Sequence, residues 1–453
     1  MHEVLKNSRH GCDLHGALQS LEEISGAVAV VHANAGCVYQ HYLADRASFL
    51  AGGSLYGPEI PATEVIEKQI VFGGASRLRE ELKNAVKVID GSLYIILGSC
   101  EAAMVGDDLA AITKEAIDIA LPVIFYFSAG FKGGSHWGHA NLMKSLIRQI
   151  PTVKKISTEK IPGLVNVLGI LPKTDIFYKG DLREIRRLLE AVGLEANIFF
   201  GPRDGVAELE RSARAEHSLV FSHWGLAAAE QLKEQYGIPY TVFESLPLGI
   251  EGTADFYKQL SLALKTDETG AAAFLEREEE QYRYYLKSIT DVYFGETLQK
   301  NIALVGDISA VKRIGPFLEH SLGAVIHTAV LTDVYTHGKE DSRPAIPEGL
   351  AGEVFKTDDS AEIDQILSDA DVEMVLGSVL EAGVSKRLKI PHLTISAPNG
   401  DQVLLHKTYA GISGAYFLLE DYASAVLRNN AELREEKERF LKGLDTGFLD
   451  PLS

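Results

Sequence analysis

Short apolar runs alternate along the chain with segments whose apolar residues recur at helical spacing. In the first third, the runs at 28–32, 94–98 and 122–126 are almost continuously apolar. Unbroken apolar runs of this length indicate strands that are covered on both faces, as in parallel sheets flanked by helices. The alternation of such strands with helical segments predicts stacked βαβ units.

The same pattern restarts twice after this first unit. The second unit contains predicted strands at 164–169, 219–221 and 240–243, and the third contains predicted strands at 302–307, 324–327 and 372–377. Within the second unit, a helix over 181–192 is predicted to begin with Asp181 as its N-cap, since Glu184 follows three residues later. A charged helical stretch at 271–288 separates the second unit from the third.

These units predict an α/β fold with three Rossmann-like domains built on parallel sheets. We place a first, cluster-binding domain at 1–155, a second domain at 156–268, a connecting helix at 269–295 and a third domain with a C-terminal helix at 296–453. In such folds ligands bind in the loops beyond the carboxyl ends of the strands. Functional residues are therefore expected in these loops.

Composition and charge exclude several classes of protein. Among 453 residues, 63 Asp and Glu outnumber 44 Lys and Arg, giving a net charge of −19, so no nucleic acid partner is expected. No apolar stretch reaches the roughly 18 residues of a membrane span, and the first seven residues lack the pattern of a signal peptide. No GxxxxGK(S/T) loop is present, so no nucleotide is expected on this chain. We expect a cytoplasmic protein without a membrane partner.

The three cysteines, Cys12, Cys37 and Cys100, all fall in the first quarter of the chain. Cys37 follows the predicted strand at 28–32 and Cys100 follows the one at 94–98, so both lie where ligands bind in parallel sheets. A small and odd number of cysteines argues against a disulfide framework. Three thiolates suit zinc or an iron–sulfur cluster, and three inert buried thiols are the structural alternative.

Further motifs surround these cysteines and continue along the chain. They lie at 11–12, 31–37, 63–74 and 99–108, and then at 130–135, 247–253 and 408–415. In this order they resemble the motifs of the nitrogenase component 1 family, which includes nitrogenase, its cofactor-assembly scaffolds and dark-operative protochlorophyllide reductase. The resemblance covers essentially the whole chain, and it implies the family's fold and an oxidoreductase function related to nitrogen fixation.

The resemblance also implies a cofactor and two protein partners. In the family, cysteines that match Cys12, Cys37 and Cys100 hold an electron-relay cluster at the interface between two homologous subunits. We therefore expect a [4Fe-4S] cluster or a larger, P-cluster-like iron–sulfur cluster. The implied partners are a homologous component 1 subunit, in a hetero- or homo-oligomer, and an ATP-dependent iron-protein reductase. The chain would relay low-potential electrons from that reductase through the cluster to a substrate.

Two departures limit what the resemblance implies. The positions at which the catalytic nitrogenase subunit anchors its large cofactor hold Ser222 and Ala410 here, and neither is a good ligand for a soft metal. A relay-cluster subunit, or a reductase whose substrate binds directly, fits these residues better. An assembly scaffold that holds and transfers a precursor cluster is the alternative, and a binding protein that only keeps the fold is a third.

Five further residues are candidates for supporting roles. His32 flanks a cysteine loop, where a hydrogen bond can tune a cluster. Lys132 and His136 lie in or beside a glycine-rich loop, and Ser222 and His223 replace the cofactor-cysteine segment. These four are candidates for lining a substrate cavity, and surface placement or core packing is the alternative. The sequence identifies neither the catalytic residues nor the substrate.

Overall fold

The computed structural model of the chain describes residues 8–47, 60–333 and 349–447. The first seven residues, on which the expected absence of a signal peptide rests, lie outside these ranges. The strands are β1 (Ala27–His32), β2 (Leu93–Gly98), β3 (Val123–Phe127), β4 (Leu164–Leu168), β5 (Glu195–Asn197), β6 (His217–Val220), β7 (Tyr240–Val242), β8 (Asn301–Gly306), β9 (Val325–Leu331), β10 (Glu353–Lys356), β11 (Met374–Gly377) and β12 (His392–Thr394).

The α-helices are α1 (Asp13–Leu21), α2 (Ala35–Ala47), α3 (Glu67–Phe72), α4 (Ala75–Val88), α5 (Cys100–Val105), α6 (Leu109–Asp118), α7 (Ser135–Gln149), α8 (Tyr178–Glu190), α9 (Val206–Arg211), α10 (Leu226–Tyr236), α11 (Gly249–Ala263), α12 (Glu268–Leu286), α13 (Thr290–Gly295), α14 (Ile308–Leu322), α15 (Ser360–Asp369), α16 (Ala382–Leu388) and α17 (Gly411–Gly447). Within the described ranges, none of them has the length and apolar character that crossing a bilayer requires.

The described strands form three sheets, and the strands within each sheet pair in parallel. The strand orders are β1-β2-β3 in the first sheet, β5-β4-β6-β7 in the second and β10-β9-β8-β11-β12 in the third. In the first sheet, Ile96 of β2 pairs with Val30 of β1 on one side and with Phe125 of β3 on the other. The carboxyl ends of all three strands therefore meet at one edge of this sheet.

Each predicted strand overlaps an observed one, because a continuous apolar run is buried on both of its faces when it lies between two layers of helices. Every residue of β2 is buried, for example. Apolar side chains from one face of the first sheet and from the second sheet form one continuous core. The other face of the first sheet has a separate core. The third sheet has two cores of its own, and the larger one includes residues of α17. The strands of the three sheets fall within 27–127, 164–242 and 301–394, and the proposed domain boundaries between them stay predictions.

The predicted N-cap of α8 is wrong. The helix begins at Tyr178, with Phe177 as its N-cap, because the side chain of Asp175 accepts a hydrogen bond from the backbone N–H of Phe177 at 3.0 Å and starts the turn earlier. Asp181 lies inside the first turn, is fully buried and accepts a hydrogen bond from Arg313 at 2.8 Å. This carboxylate joins the second unit of the chain to the third.

Helices α1 and α7 pack backbone against backbone, and their contact fixes the first cysteine. A Cβ on Gly16 would lie 1.8 Å from the carbonyl oxygen of Ser135, so only glycine permits this approach. The backbone N–H of Ser135 donates to the carbonyl oxygen of Gly11 at 2.8 Å. The segment that carries Cys12 is thereby held against the start of α7.

The buried His139 in this helix contact should make stability depend on pH. Its Nδ1 lies 2.8 Å from Oγ of Ser20, and burial lowers the pKa of His139 to about 3. Below pH 6.5 the histidine of the unfolded chain takes up a proton that the folded chain does not bind, so stability is full above this pH and falls as the pH decreases. Between pH 7 and pH 5 we expect this group to cost about 2 kcal/mol of the free energy of unfolding.

Urea denaturation of the wild type and His139→Asn at both pH values checks this expectation. The asparagine amide replaces the hydrogen bond of Nδ1 and does not titrate, so the variant should lose less stability on acidification. His320→Ala, which removes an exposed imidazole, is the control and should follow the wild type. An equal loss in the wild type and in His139→Asn would contradict the expectation.

Candidate metal centre

All three cysteines lie at the carboxyl-terminal edge of the first sheet, and each stands at the start of a helix. Cys12 is the N-cap of α1, Cys37 is the third residue of α2, and Cys100 is the first residue of α5. Helix starts present unpaired backbone N–H groups and the positive end of the helix dipole. The position of the cysteines therefore favours thiolates and any anionic group that they bind.

Gly130, in the loop after β3, brings two of the thiols together. Its backbone N–H donates a hydrogen bond to Sγ of Cys100 at 3.1 Å. A Cβ at this glycine would lie 3.2 Å from Sγ of Cys12 and 3.5 Å from Sγ of Cys100. The two sulfur atoms therefore face the same small space, which the absence of a side chain leaves open.

Burial disfavours ionisation of two of the free thiols, those of Cys12 and Cys37. Burial, followed by the charges of Glu101, Cys12 and Cys100, raises the pKa of Cys37 to about 12. Burial also raises the pKa of Cys12. The thiolate form therefore requires a compensating cation. Three partly exposed sulfur donors of this kind fit an iron–sulfur cluster.

The spacing of the thiols favours a cluster over a single ion. Three sulfur atoms on one zinc ion lie about 3.8 Å apart, given a Zn–S bond of about 2.3 Å. Among the residues that the structure describes, no group of three ligand atoms within 4.8 Å of one another includes a cysteine. In a cluster each thiolate binds a different iron atom, which permits a wider spacing. Of the two metal alternatives that the sequence left open, zinc is the poorer fit.

His15 contacts the first cysteine and was not identified from the sequence. Its Nδ1 lies 3.2 Å from Sγ of Cys12, and its ring stacks on that of His41 with centroids 5.8 Å apart. Burial lowers the pKa of His15 to about 4, so the ring is neutral at pH 7 and its Nδ1–H can donate to a sulfur ligand. The three-residue spacing from Cys12, which places both on one helix face, is the signal that could have found it.

His32 lies at the end of β1 with both ring nitrogens engaged. Nδ1 is 2.9 Å from Oγ1 of Thr63, and Nε2 is 2.9 Å from Oδ2 of Asp107. The carboxylate of Asp107 also accepts the backbone N–H of Gly74 at 2.8 Å. The side chain of His32 therefore connects the loops around the cysteines. Both of its hydrogen-bond partners are side-chain oxygen atoms.

Lys132 differs in exposure from the other three candidates for a cavity. It is exposed, and its ammonium group is 5.7 Å from the ring centroid of Phe127. His136 and His223 instead both pack against Trp224, with ring centroids 5.3 and 5.4 Å away. The structure therefore brings His136 and His223 together around one tryptophan.

Ser222 lies next to this tryptophan group. It is buried, and its hydroxyl donates a hydrogen bond to the carbonyl oxygen of Gly169 at 2.6 Å. Gly169 and Trp224 line a small cavity of about 30 Å³. Ala410, the second replaced position, is fully buried. The two positions therefore offer neither a thiolate nor an imidazole to a large metal cofactor.

The parallel sheets and the three cysteines at the edge of the first sheet define an oxidoreductase of the nitrogenase component 1 class. The family described as nitrogenase component 1 type oxidoreductase matches residues 12–427. The chain belongs to this family, as its motifs predicted. Members of the family bind iron–sulfur clusters, form oligomers and work with an iron-protein reductase.

Named relatives come from two branches of the family. The B subunit of light-independent protochlorophyllide reductase from Methylobacterium radiotolerans is 26% identical over 388 residues, which cover 84% of this chain and 70% of the relative. The nitrogenase molybdenum-iron protein beta chain of Methanothermobacter thermautotrophicus is 24% identical over 468 residues, which cover 95% of this chain and 96% of the relative. A solved structure of nitrogenase Cp1 at pH 6.5 has a TM-score of 0.76 at 19% identity and covers 94% of each chain. This likeness confirms the predicted fold.

Proposed function

We propose that the chain receives low-potential electrons from an ATP-dependent iron protein and passes them to a substrate through an iron–sulfur cluster held by Cys12, Cys37 and Cys100. The observation that carries the proposal is the placement of the three thiols at three helix starts, with two of them facing each other at Gly130. When bound, such a cluster supplies one-electron transfer at low potential. The fourth ligand comes from outside these three cysteines, and a homologous subunit is the proposed source.

The residues around the thiols suit a negatively charged, redox-active group. Backbone N–H groups at the start of α1 act on the sulfur of Cys12, and the N–H of Gly130 donates to Cys100. His15 offers a further donor to Cys12. Hydrogen bonds to the sulfur atoms stabilise the reduced, more negative state and so raise the reduction potential.

An exposed apolar surface next to the cysteines supports the proposed protein partners. It consists of Ile66, Val71 and Phe72 at α3 and Met104 on α5, and we call it the α3–α5 surface. Phe72 is 82% exposed and Met104 is 80% exposed. Large exposed apolar side chains that lie together mark protein contacts. Since α5 begins with Cys100, a protein docked here lies close to the cluster, and we propose that it is the iron protein.

Gly130→Ala is expected to impair cluster binding without unfolding the chain. The new Cβ would lie 3.0 Å from Cβ of Cys12 and would push its thiol away from that of Cys100. We expect at least about tenfold weaker retention of iron, as for changes next to metal ligands. The measurement is iron and acid-labile sulfide content after anaerobic reconstitution. Gly383→Ala, whose Cβ has no neighbour closer than 4.0 Å, is the control, and equal iron in both variants would contradict the expectation.

Electron transfer with the partner protein tests the proposed function directly. The cluster-loaded chain, its iron protein and MgATP are mixed anaerobically, and the electron paramagnetic resonance (EPR) signal of the cluster is followed. Reduction that requires both the iron protein and MgATP supports the relay function. Transfer of the intact cluster to an apo-acceptor protein, without reduction by the iron protein, would instead establish the assembly scaffold.

A further inference from the structure

A second group of ligand-type side chains lies where the first part of the chain meets the third sheet. His10 precedes α1, His136 is the second residue of α7, and Asp307 follows β8 at its carboxyl end. One ligand atom from each of the three lies within 4.8 Å of the others. Among the described residues, this is the one group of His, Cys, Asp or Glu that meets this limit.

The geometry inside the group is already close to that of a metal site. Nε2 of His136 and Oδ2 of Asp307 are 3.0 Å apart. The rings of His10 and His136 meet edge to face with centroids 4.7 Å apart. Ligand atoms on a tetrahedral zinc ion lie about 3.3 Å apart, given bonds of about 2.0–2.1 Å. A movement of about 1–2 Å by one side chain would therefore complete the ligand set.

His10 has an unused nitrogen inside this group. Its Nε2 is buried, and within the part of the chain that the structure describes it has no hydrogen-bond partner. A buried polar atom without a partner lowers the stability of the fold by about 1–3 kcal/mol. A ligand bound to this nitrogen would offset that loss. A metal ion would take the lone pair of this nitrogen.

The charges around the group favour a cation. Asp333 and Asp358 both act electrostatically on His136, so two acidic residues besides Asp307 contribute negative charge near the site. Arg9, which acts electrostatically on His10, donates to the carboxylate of Glu381 and to Oγ of Ser378, the latter at 3.1 Å. Excess negative charge of this kind is compensated when a divalent ion binds.

Room for water lies on the Asp307 side of the group, in a cavity that neither His10 nor His136 lines. Asp307 lines this cavity of about 30 Å³ together with Trp224 and Asp175. Such a volume holds one or two water molecules. A metal ion bound by three protein side chains commonly completes its coordination with water.

We propose that His10, His136 and Asp307 form a mononuclear site for a divalent first-row transition metal, zinc or ferrous iron, with water as a further ligand. Two imidazoles and one carboxylate form a ligand set that occurs in protein sites of both metals. The site is distinct from the cysteines, and it joins the start of the chain and α7 to the third sheet. Because its ligands come from distant parts of the sequence, metal binding is expected to stabilise the folded chain.

Cobalt titration of the anaerobically purified, cluster-loaded chain tests the proposal after removal of loosely bound metal. Wild type should bind one Co²⁺ per chain, measured as cobalt that stays with the protein through desalting. His10→Ala and Asp307→Asn should each weaken binding at least about tenfold. His320→Ala, which removes an exposed histidine paired with Glu251 at 3.6 Å, should bind like the wild type.

Two further measurements identify the metal and guard against misfolding. Elemental analysis of the purified chain should show one equivalent of zinc, or one iron beyond the cluster's acid-labile sulfide, that is lost in His10→Ala. Added Zn²⁺ should raise the melting temperature of the wild type and not that of His10→Ala. Absence of Co²⁺ binding by the folded wild type, or equal binding by wild type and His10→Ala, would overturn the proposal.

Discussion

Cys100→Ala is expected to remove nearly all cluster iron from the anaerobically purified chain. Cys100 begins α5, accepts the N–H of Gly130 and faces the same space as Cys12. Its loss leaves two of three thiolates, and the remaining sites cannot hold the irons in place. We expect iron and acid-labile sulfide to fall by at least about tenfold, and the EPR signal after dithionite reduction to disappear.

The matched control is Ser368→Ala, an equally small change on the exposed face of α15, which should leave the iron content unchanged. Circular dichroism of both variants shows whether the fold persists. A well-folded Cys100→Ala variant with the iron and sulfide content of the wild type would overturn the assignment of Cys100 as a ligand. If the wild type itself binds no iron after reconstitution with its partner, the three cysteines are structural.

Phe72→Asp is expected to reduce electron transfer from the iron protein by at least about tenfold while the cluster content stays unchanged. Phe72 is the most exposed side chain of the α3–α5 surface. Aromatic anchors at the centre of an interface commonly contribute about 2 kcal/mol or more to binding. A charge in place of the ring removes this contact and leaves an unpaired carboxylate at the interface.

Stopped-flow measurement of cluster reduction at increasing iron-protein concentration separates weaker docking from slower transfer. Phe294→Asp is a closely matched control, because Phe294 is 79% exposed and lies on α13, outside the first sheet and its helices. We expect the Phe294→Asp variant to behave like the wild type. Equal rates for the Phe72→Asp variant would contradict the docking proposal, and dissociation of the oligomer would assign the α3–α5 surface to the homologous subunit instead.

Local pattern was sufficient for nine of the described strands and for the location of the cysteines, but it missed the short strands β5, β10 and β12. The runs at 94–98 and 302–307 are too apolar to lie anywhere but between two helix layers, and β2 and β8 occupy them. Cys37 and Cys100 come shortly after the ends of β1 and β2, so the rule for parallel sheets predicted their location. Family motifs then favoured a cluster site over inert thiols, and this assignment stays a prediction.

Helix starts and side-chain partners were harder to predict. Asp181 has the sequence pattern of an N-cap, yet a turn made by Asp175 starts α8 earlier and Arg313 binds Asp181 instead. His15 could have been found from its spacing to Cys12 on one helix. Predicting the start of α8 and the partner of Asp181 requires the position of the neighbouring loop. The sequence of one helical segment does not provide that position.

The sequence by itself determined the class of fold, the parallel sheets and the choice of the three cysteines as candidate ligands. Each of these depends on residues close together in the chain or on an ordered set of motifs. Only the tertiary structure decided that Gly130 opens the space between two thiols and that His10 and His136 meet Asp307. These residues are far apart in sequence, and their approach depends on how the first sheet, α7 and the third sheet pack. Packing of this kind is fixed by the shape of the whole core, so no local pattern records it.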